Sequence, residues 1–269
     1  VDRLLFLGVG TIASAVQRAL PELPSAGTTR AAPDQRFGTI RPIAAGDLAA
    51  IRAASQGAAV IVSFPPDGQR DRVWCELVKG AASIAYVSST AVYPANAGLV
   101  TEASAVSEGD ERSERARSRL EAERLWRDAG ASVVRLPAFY GPCSGLHLSL
   151  ARGTFRMPGN GSNTVSRVHE DDAARFVCAA LRAAPGSLLL AGDDEPSPVA
   201  FVVAFVCALF GLPAPLGSEG EQIPLSLRAS RSIDNRATRT AHRIQLAYPT
   251  YREGYQAIFR AKGNSPGHY

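Results

Sequence analysis

Short apolar runs alternate with helix-like patterns along the first half of the chain. The run Leu4-Leu5-Phe6-Leu7 predicts a buried strand near 3–8, and helical spacing follows from 12 to 20. A strand is expected around 25–29, a helix around 47–55, and a strand over Ala58-Ala59-Val60-Ile61-Val62-Ser63. Next come a helix near 69–79, a strand over 83–88, a charged helix from about 110 to 129, and a strand over 132–136. Strands alternating with helices in this way build βαβ units and a parallel sheet. The expected fold class is therefore α/β, a Rossmann-type doubly wound parallel sheet. Beyond residue 137 the pattern loosens into Gly- and Pro-rich loops, with helices at about 171–184 and 197–210 and a last one near 251–261. Glu111–Arg115 and Glu123–Arg127 are spaced as i,i+4 pairs, so the stretch from Ser107 to Arg127 reads as a solvated helix face.

Directly after the first strand stands Gly8-Val9-Gly10-Thr11-Ile12-Ala13. Without a Cβ, Gly8 can make the tight turn and Gly10 can let the backbone approach a pyrophosphate, while Ala13 permits close helix–strand packing. The opening of the helix offers free N–H groups and a positive dipole to phosphates. These residues make a dinucleotide site of the turn. An NAD site expects a carboxylate about 20 residues on, but here Thr29 and Arg30 end the second strand. Hydroxyl and guanidinium suit a 2′-phosphate, which favours NADP over NAD. Residues 1–137 are read as the dinucleotide-binding core. Residues 138–269 are read as a smaller substrate-side region packed on it as one globular unit.

Composition narrows the class. With 269 residues, 46% hydrophobic and 20% charged, the chain can bury a substantial core, and no apolar run reaches the length of a membrane span. The first eight residues are too short an apolar run for a signal peptide and lead into a glycine turn, so a cytoplasmic location is the default. Four widely spaced cysteines, Cys75, Cys143, Cys178 and Cys207, signal neither a zinc site nor a disulfide framework. The net charge of +4 is spread out, with no block of like charges to mark a nucleic-acid surface. Only Lys79 and Lys262 are lysines. The expected partner is a small-molecule substrate, with a homodimer left open.

Four segments in order resemble the extended short-chain dehydrogenase/reductase family, of the NAD-dependent epimerase/dehydratase type. They are the glycine turn, Val87-Ser88-Ser89-Thr90-Ala91-Val92-Tyr93, Arg135-Leu136-Pro137-Ala138-Phe139-Tyr140-Gly141-Pro142, and Ser166-Arg167-Val168-His169-Glu170-Asp171-Asp172. The resemblance implies that Ser89 bonds a substrate carbonyl, with Ser88 on the cofactor side and Thr90 on the substrate side. It also implies that Ser63, Phe64 and Pro65 line the adenine or ribose side, and that Pro137, Ala138 and Phe139 approach the nicotinamide.

One departure from that family matters for chemistry. Its hydride-moving members use Tyr-x-x-x-Lys on the helix after the serine strand, and no such pair occurs in this chain. Arg115 and Arg119 fall at the two positions. Arginine cannot serve as an acid or base near neutrality, but Arg119 is able to hold ribose or phosphate, and Arg115 an anionic substrate. The proton donors left to consider are Tyr93 and Tyr140, both expected at the carboxyl edge of the sheet, together with His169, a water or the substrate itself. His169 is placed on the substrate, with Asp171 or Asp172 capping the helix behind it. A Cys143–His147 nucleophile pair lacks a third partner. Two readings follow: an NADP-dependent oxidoreductase or epimerase/dehydratase-like enzyme with an atypical donor, or a catalytically silent NADP-binding sensor.

Overall fold

A computed structural model describes residues 1–30, 38–107, 114–215, 217–218 and 228–263. Strands β1 (Leu4–Leu7), β2 (Ser25–Thr29), β3 (Arg41–Ala44), β4 (Ala59–Val62) and β5 (Ser83–Ser89) join Ser132–Leu136 and Leu188–Leu190 in one seven-stranded sheet. The spatial order is Leu188–Leu190, Ser132–Leu136, β5, β4, β1, β2, β3, and every pairing is parallel. This is the doubly wound order with one strand added at the edge. The strand order reverses between β1 and β4, so the crevice at their carboxyl ends is where such a sheet takes a ligand.

Alternation within β1 fixes which layer sits where. Leu4 and Phe6 pack with Ile61, Val134, Val16 and Phe176 on one face. Leu5 and Leu7 pack with Val60, Val62, Ile51, Trp74 and Trp126 on the other. Helix α1 (Thr11–Ala19) and the helix Glu170–Ala180 cover the first face, while α2 (Leu48–Ser55), α3 (Gly68–Leu77) and α4 (Glu114–Asp128) cover the second. Each fully buried Leu or Phe contributes roughly 1.5–3 kcal/mol, so these two layers dominate the fold's stability.

The chain beyond residue 137 shares in this sheet. It supplies the edge strand Leu188–Leu190 and the helix packed on α1. It also builds a separate apolar cluster of Tyr140, Val202, Phe210, Tyr251 and Tyr255, and pairs Ser197–Pro198, Thr164–Val165 and Arg231–Ile233 with Gly98–Val100 in a small sheet. Among the described residues no helix is long and apolar enough to cross a membrane.

Two local expectations fail. Glu123 does not face solvent with Arg127: it is buried and bonds Arg135, while Arg127 donates to the Gly186 carbonyl. Glu111, the partner expected for Arg115, lies outside the described residues, as do positions 110–113 of the expected charged helix. Nor do Asp171 or Asp172 cap the helix that follows His169. His169 is itself the cap, its Nδ1 accepting from Asp171 N at 3.2 Å, and Asp172 instead accepts from the backbone of Ala247 and Tyr248 at 2.7 and 2.9 Å.

Candidate functional site: the carboxyl-edge cavity

The glycine turn is held by three bonds to neighbouring strands. Gly8 N donates to Thr28 Oγ1 at 2.8 Å, Val9 N donates to the Thr28 carbonyl at 3.1 Å, and the Ser63 hydroxyl donates to the Gly8 carbonyl at 2.8 Å. Gly8 has φ of +97°, and a Cβ there would stand 2.9 Å from Phe64 N, so glycine is required by both conformation and space. Gly10 is different. Its backbone is extended and a Cβ would meet nothing within 4 Å, so no protein neighbour demands glycine there. What the missing Cβ leaves is open access to the start of α1, whose first turn has neither a side-chain cap nor an acidic residue. A pyrophosphate is the ligand that such a bare helix start suits. Thr28, the hydroxyl that ties the turn to β2, carries no sequence signal beyond its place in a strand.

From this turn a cavity of about 520 Å³ opens along the carboxyl edge. Gly10, Thr11, Ile12 and Ser63 line one side of it. Ser88 and Ser89 come from the end of β5 and Thr90 from the short helix after it, Pro137, Ala138 and Phe139 from the segment that follows the strand Ser132–Leu136, and Arg115 and Arg119 from α4. Arg231 joins from the small sheet, and Ser166 directly follows its strand Thr164–Val165. The remaining expected cofactor residues lie outside this wall. Ala13 is buried under the turn, the Phe64 ring packs edge-on against Trp74 at 5.0 Å, and Pro65 is exposed. Thr29 and exposed Arg30 sit at the end of β2, next to the residue that bonds the turn.

The two adjacent serines have different duties. Ser89 Oγ accepts from Ala91 N at 3.1 Å, which leaves its own proton free to donate into the cavity. The Ser88 hydroxyl donates to Glu123, which also takes two bonds from Arg135 at 3.0 and 2.7 Å. Arg135 in turn donates to the Tyr93 phenol at 2.9 Å and lies over its ring. This buried chain of Ser88, Glu123, Arg135 and Tyr93 fixes the underside of the β5 end. The sequence reading missed it because Glu123 sits among surface-like charges.

That network removes Tyr93 from the expected catalytic role. Its phenol is buried, bonded to Arg135 and absent from the cavity wall, and burial pushes its pKa up. Tyr140 is also turned inward. Its ring stacks on Tyr255 at 4.5 Å, its hydroxyl bonds the Thr250 carbonyl at 3.5 Å, and burial raises its pKa well above the usual phenol value. His169 does not reach the cavity either: it is wedged between Tyr140 and Tyr248 and pushed down to about 4 by burial. Cys143 is exposed while His147 is buried against Phe210 and Tyr255, with burial lowering it to about 4, so they form no nucleophile pair.

Among the described residues the cavity wall thus contains apolar side chains, hydroxyls and three arginines, with no Tyr, His, Lys, Cys, Asp or Glu. Arg119 is pinned, its Nη1 donating to the Val87 carbonyl at 3.1 Å and to the Tyr86 phenol at 3.4 Å. Arg115 is exposed on the first turn of α4, and Arg231 gives its Nε to the Pro94 carbonyl at 2.7 Å. Arg231 arrives from more than a hundred residues away, so nothing in the sequence placed it here. Among the described residues no His, Cys, Asp or Glu cluster fit for a metal ion occurs.

No family model matches the chain. Over 141 residues it is 27% identical to a 3-diazoavenalumate denitrifying reductase of a Streptomyces species, a match covering 47% of this chain and 46% of that protein. The chain therefore spans less than half the length of that curated relative. In structure it matches a functionally unknown conserved protein from Silicibacter pomeroyi with a TM-score of 0.80 and 26% identity, covering 98% of this chain and all of that one. It also matches a dTDP-glucose 4,6-dehydratase from Streptomyces venezuelae, solved with NAD bound, with a TM-score of 0.81, 17% identity and coverage of 99% and 98%. The structural neighbours also include a protein from Methylobacillus flagellatus described as an NAD-dependent epimerase/dehydratase, and the chain shares the Rossmann-type fold of these structures.

Proposed function

We propose that this chain is an NADP-dependent reductase that moves hydride to a small substrate without a side-chain proton donor. The observation that carries the reading is a single cavity in which the bare start of α1 and the free Ser89 hydroxyl face the same space. Gly10, Thr11, Ile12 and Ser63 are the residues that would hold the dinucleotide, with Thr29 and Arg30 at its 2′-phosphate. The open space at the Gly10 Cβ position fits such a group. A reduced nicotinamide held there supplies a hydride to an electrophilic carbon or nitrogen.

The protein's part is electrostatic. Ser89 donates to the substrate oxygen on which negative charge grows, and the Arg115 guanidinium adds positive potential from α4. When the substrate is a carbonyl, its π electrons move to oxygen as the new C–H bond forms, and water entering the cavity protonates that oxygen. Dehydration requires a base to remove a proton from carbon, and epimerisation through a ketone requires one to take the hydroxyl proton as hydride leaves the carbon. Among the described residues the wall offers none, which favours reduction over the chemistry of the dehydratase neighbour. The partial relative named as a reductase points the same way.

The test is consumption of NADPH, followed at its absorbance, with a panel of aldehydes, ketones, diazo compounds and nucleotide sugars. Turnover with a reducible compound, lost in Ser89→Ala while NADPH affinity holds, is the expected result. Tight NADPH binding without any turnover would replace this reading with that of a silent redox sensor.

A further inference from the structure

The substrate half of the cavity has a charge pattern that the reductase reading does not require. Among the described residues its charged side chains are Arg115, Arg119 and Arg231, and no carboxylate lines it. Elsewhere in the chain, Arg18, Arg135, Arg236, Arg239 and Arg252 each stand against an Asp or Glu. Among the described residues none does so against the three cavity arginines. Arg119 spends two contacts on Val87 and Tyr86. Arg115 and Arg231 are less committed, and the one bond given by Arg231 leaves its terminal nitrogens available. Two guanidiniums on different elements, lining one partly enclosed space with no carboxylate among the described residues of its wall, are suited to an oxyanion.

Beside this space lies an apolar recess of about 260 Å³. It shares Ala138, Phe139 and Val165 with the main cavity and continues between Tyr140, Phe155 and Tyr255. Its one charged neighbour, Arg167, is turned to the Val165 carbonyl at 2.8 Å. The main cavity must also house the nicotinamide end of the dinucleotide. What remains is small for a nucleotide sugar, and the recess has the wrong polarity for a sugar ring.

We infer, building on the reductase reading, that the substrate is a small organic carboxylate with an apolar body, its anion held by Arg115 and Arg231 and its body seated in the recess behind Phe139. A neutral isostere loses the two guanidinium contacts, and a bare carboxylate loses the recess. Either loss weakens binding on its own.

Calorimetric titration of the full chain with NADP⁺ present tests this using 3-phenylpropionate, its amide, acetate and UDP-glucose as probes. The acid should bind at least about tenfold tighter than the amide or acetate, a difference of about 1.4 kcal/mol. Arg115→Gln and Arg231→Gln should each erase the preference for acid over amide, while the affinity for NADP⁺ and the melting temperature stay unchanged. Equal binding of acid and amide, no binding of either, or tighter binding of UDP-glucose than of the acid would overturn the assignment. The reductase reading fails separately. An intact acid preference in a chain that binds no NADP(H) would refute that reading and leave the carboxylate site standing.

Discussion

The two sides of the carboxyl-edge cavity are built by opposite means. The dinucleotide side is made of backbone: a glycine turn, the start of α1 and the hydroxyls of Thr28 and Ser63 that brace it, with no charged side chain in the wall. The substrate side is made of side chains, Ser89, Thr90, Arg115 and Arg231, contributed by β5, the short helix after it, α4 and the small sheet. A backbone site recognises a group common to many enzymes and is readable from local spacing. A side-chain site sets the chemistry and depends on which residues the tertiary fold brings together.

The largest expected effect breaks the support under the substrate side. Glu123 is buried and bidentate to Arg135, so Glu123→Gln leaves a buried guanidinium without its counter-charge. It should cost about 3–5 kcal/mol in chemical denaturation. Next comes Ser89→Ala, which should lower kcat/KM by about a hundredfold, in the range for losing one donor to developing charge. Its NADPH affinity should stay at the wild-type value by fluorescence titration.

The two glycines sharpen the contrast on the dinucleotide side. Gly8→Ala forces an L side chain into φ +97° and against Phe64 N, which should cost about 1–3 kcal/mol of stability. Gly10→Ala meets no protein atom, so its melting curve should be unchanged while NADP affinity falls about tenfold. Arg30→Ala should weaken NADP by about the same factor and leave NAD alone, as loss of a single phosphate contact would. Equal loss for both cofactors would remove the 2′-phosphate from Arg30.

The smallest effect is a predicted absence. Among the described residues no group that titrates near neutrality lines the cavity, so kcat/KM should stay flat between about pH 6 and 9. Tyr140→Phe should leave turnover within about twofold, since the ring that lines the recess is kept and the lost hydroxyl makes one long bond to the Thr250 carbonyl. A pH profile with a limb in that range would place an acid or base in the cavity after all.

Much of the sheet was legible because β1 and β4 are wholly buried and read as unbroken apolar runs, while Ser132–Leu136, also wholly buried, carries Val133, Val134 and Leu136 around Arg135. β3 was not. It holds Pro42, buries only Ile43 and lies at the sheet edge, so neither propensity nor alternation marks it. Leu188–Leu190 is three residues long and owes its place to its neighbour Ser132–Leu136. At the site, spacing and context pointed to Gly8 and Gly10, and the family resemblance pointed to Ser89; Gly10 and Ser89 line the cavity. Tyr93 and Tyr140 misled because they follow strand ends, and a strand end does not say whether a side chain turns to ligand or to core. Arg231 and the Glu123–Arg135 pair were invisible because contacts across the fold leave no local period.

In the proposed function the cavity would hold a dinucleotide and offer its substrate hydrogen bonds and positive charge, but no acid. A crystal structure of the chain with NADP⁺ and 3-phenylpropionate tests this most directly. It should show pyrophosphate at Gly10 and Thr11, carboxylate against Arg115 and Arg231, and Ser89 as the nearest hydroxyl to the nicotinamide. No tyrosine, histidine or carboxyl side chain should lie within about 3.2 Å of the space between them. A Tyr93 or Tyr140 hydroxyl swung into that space, or a dinucleotide bound away from the glycine turn, would contradict it.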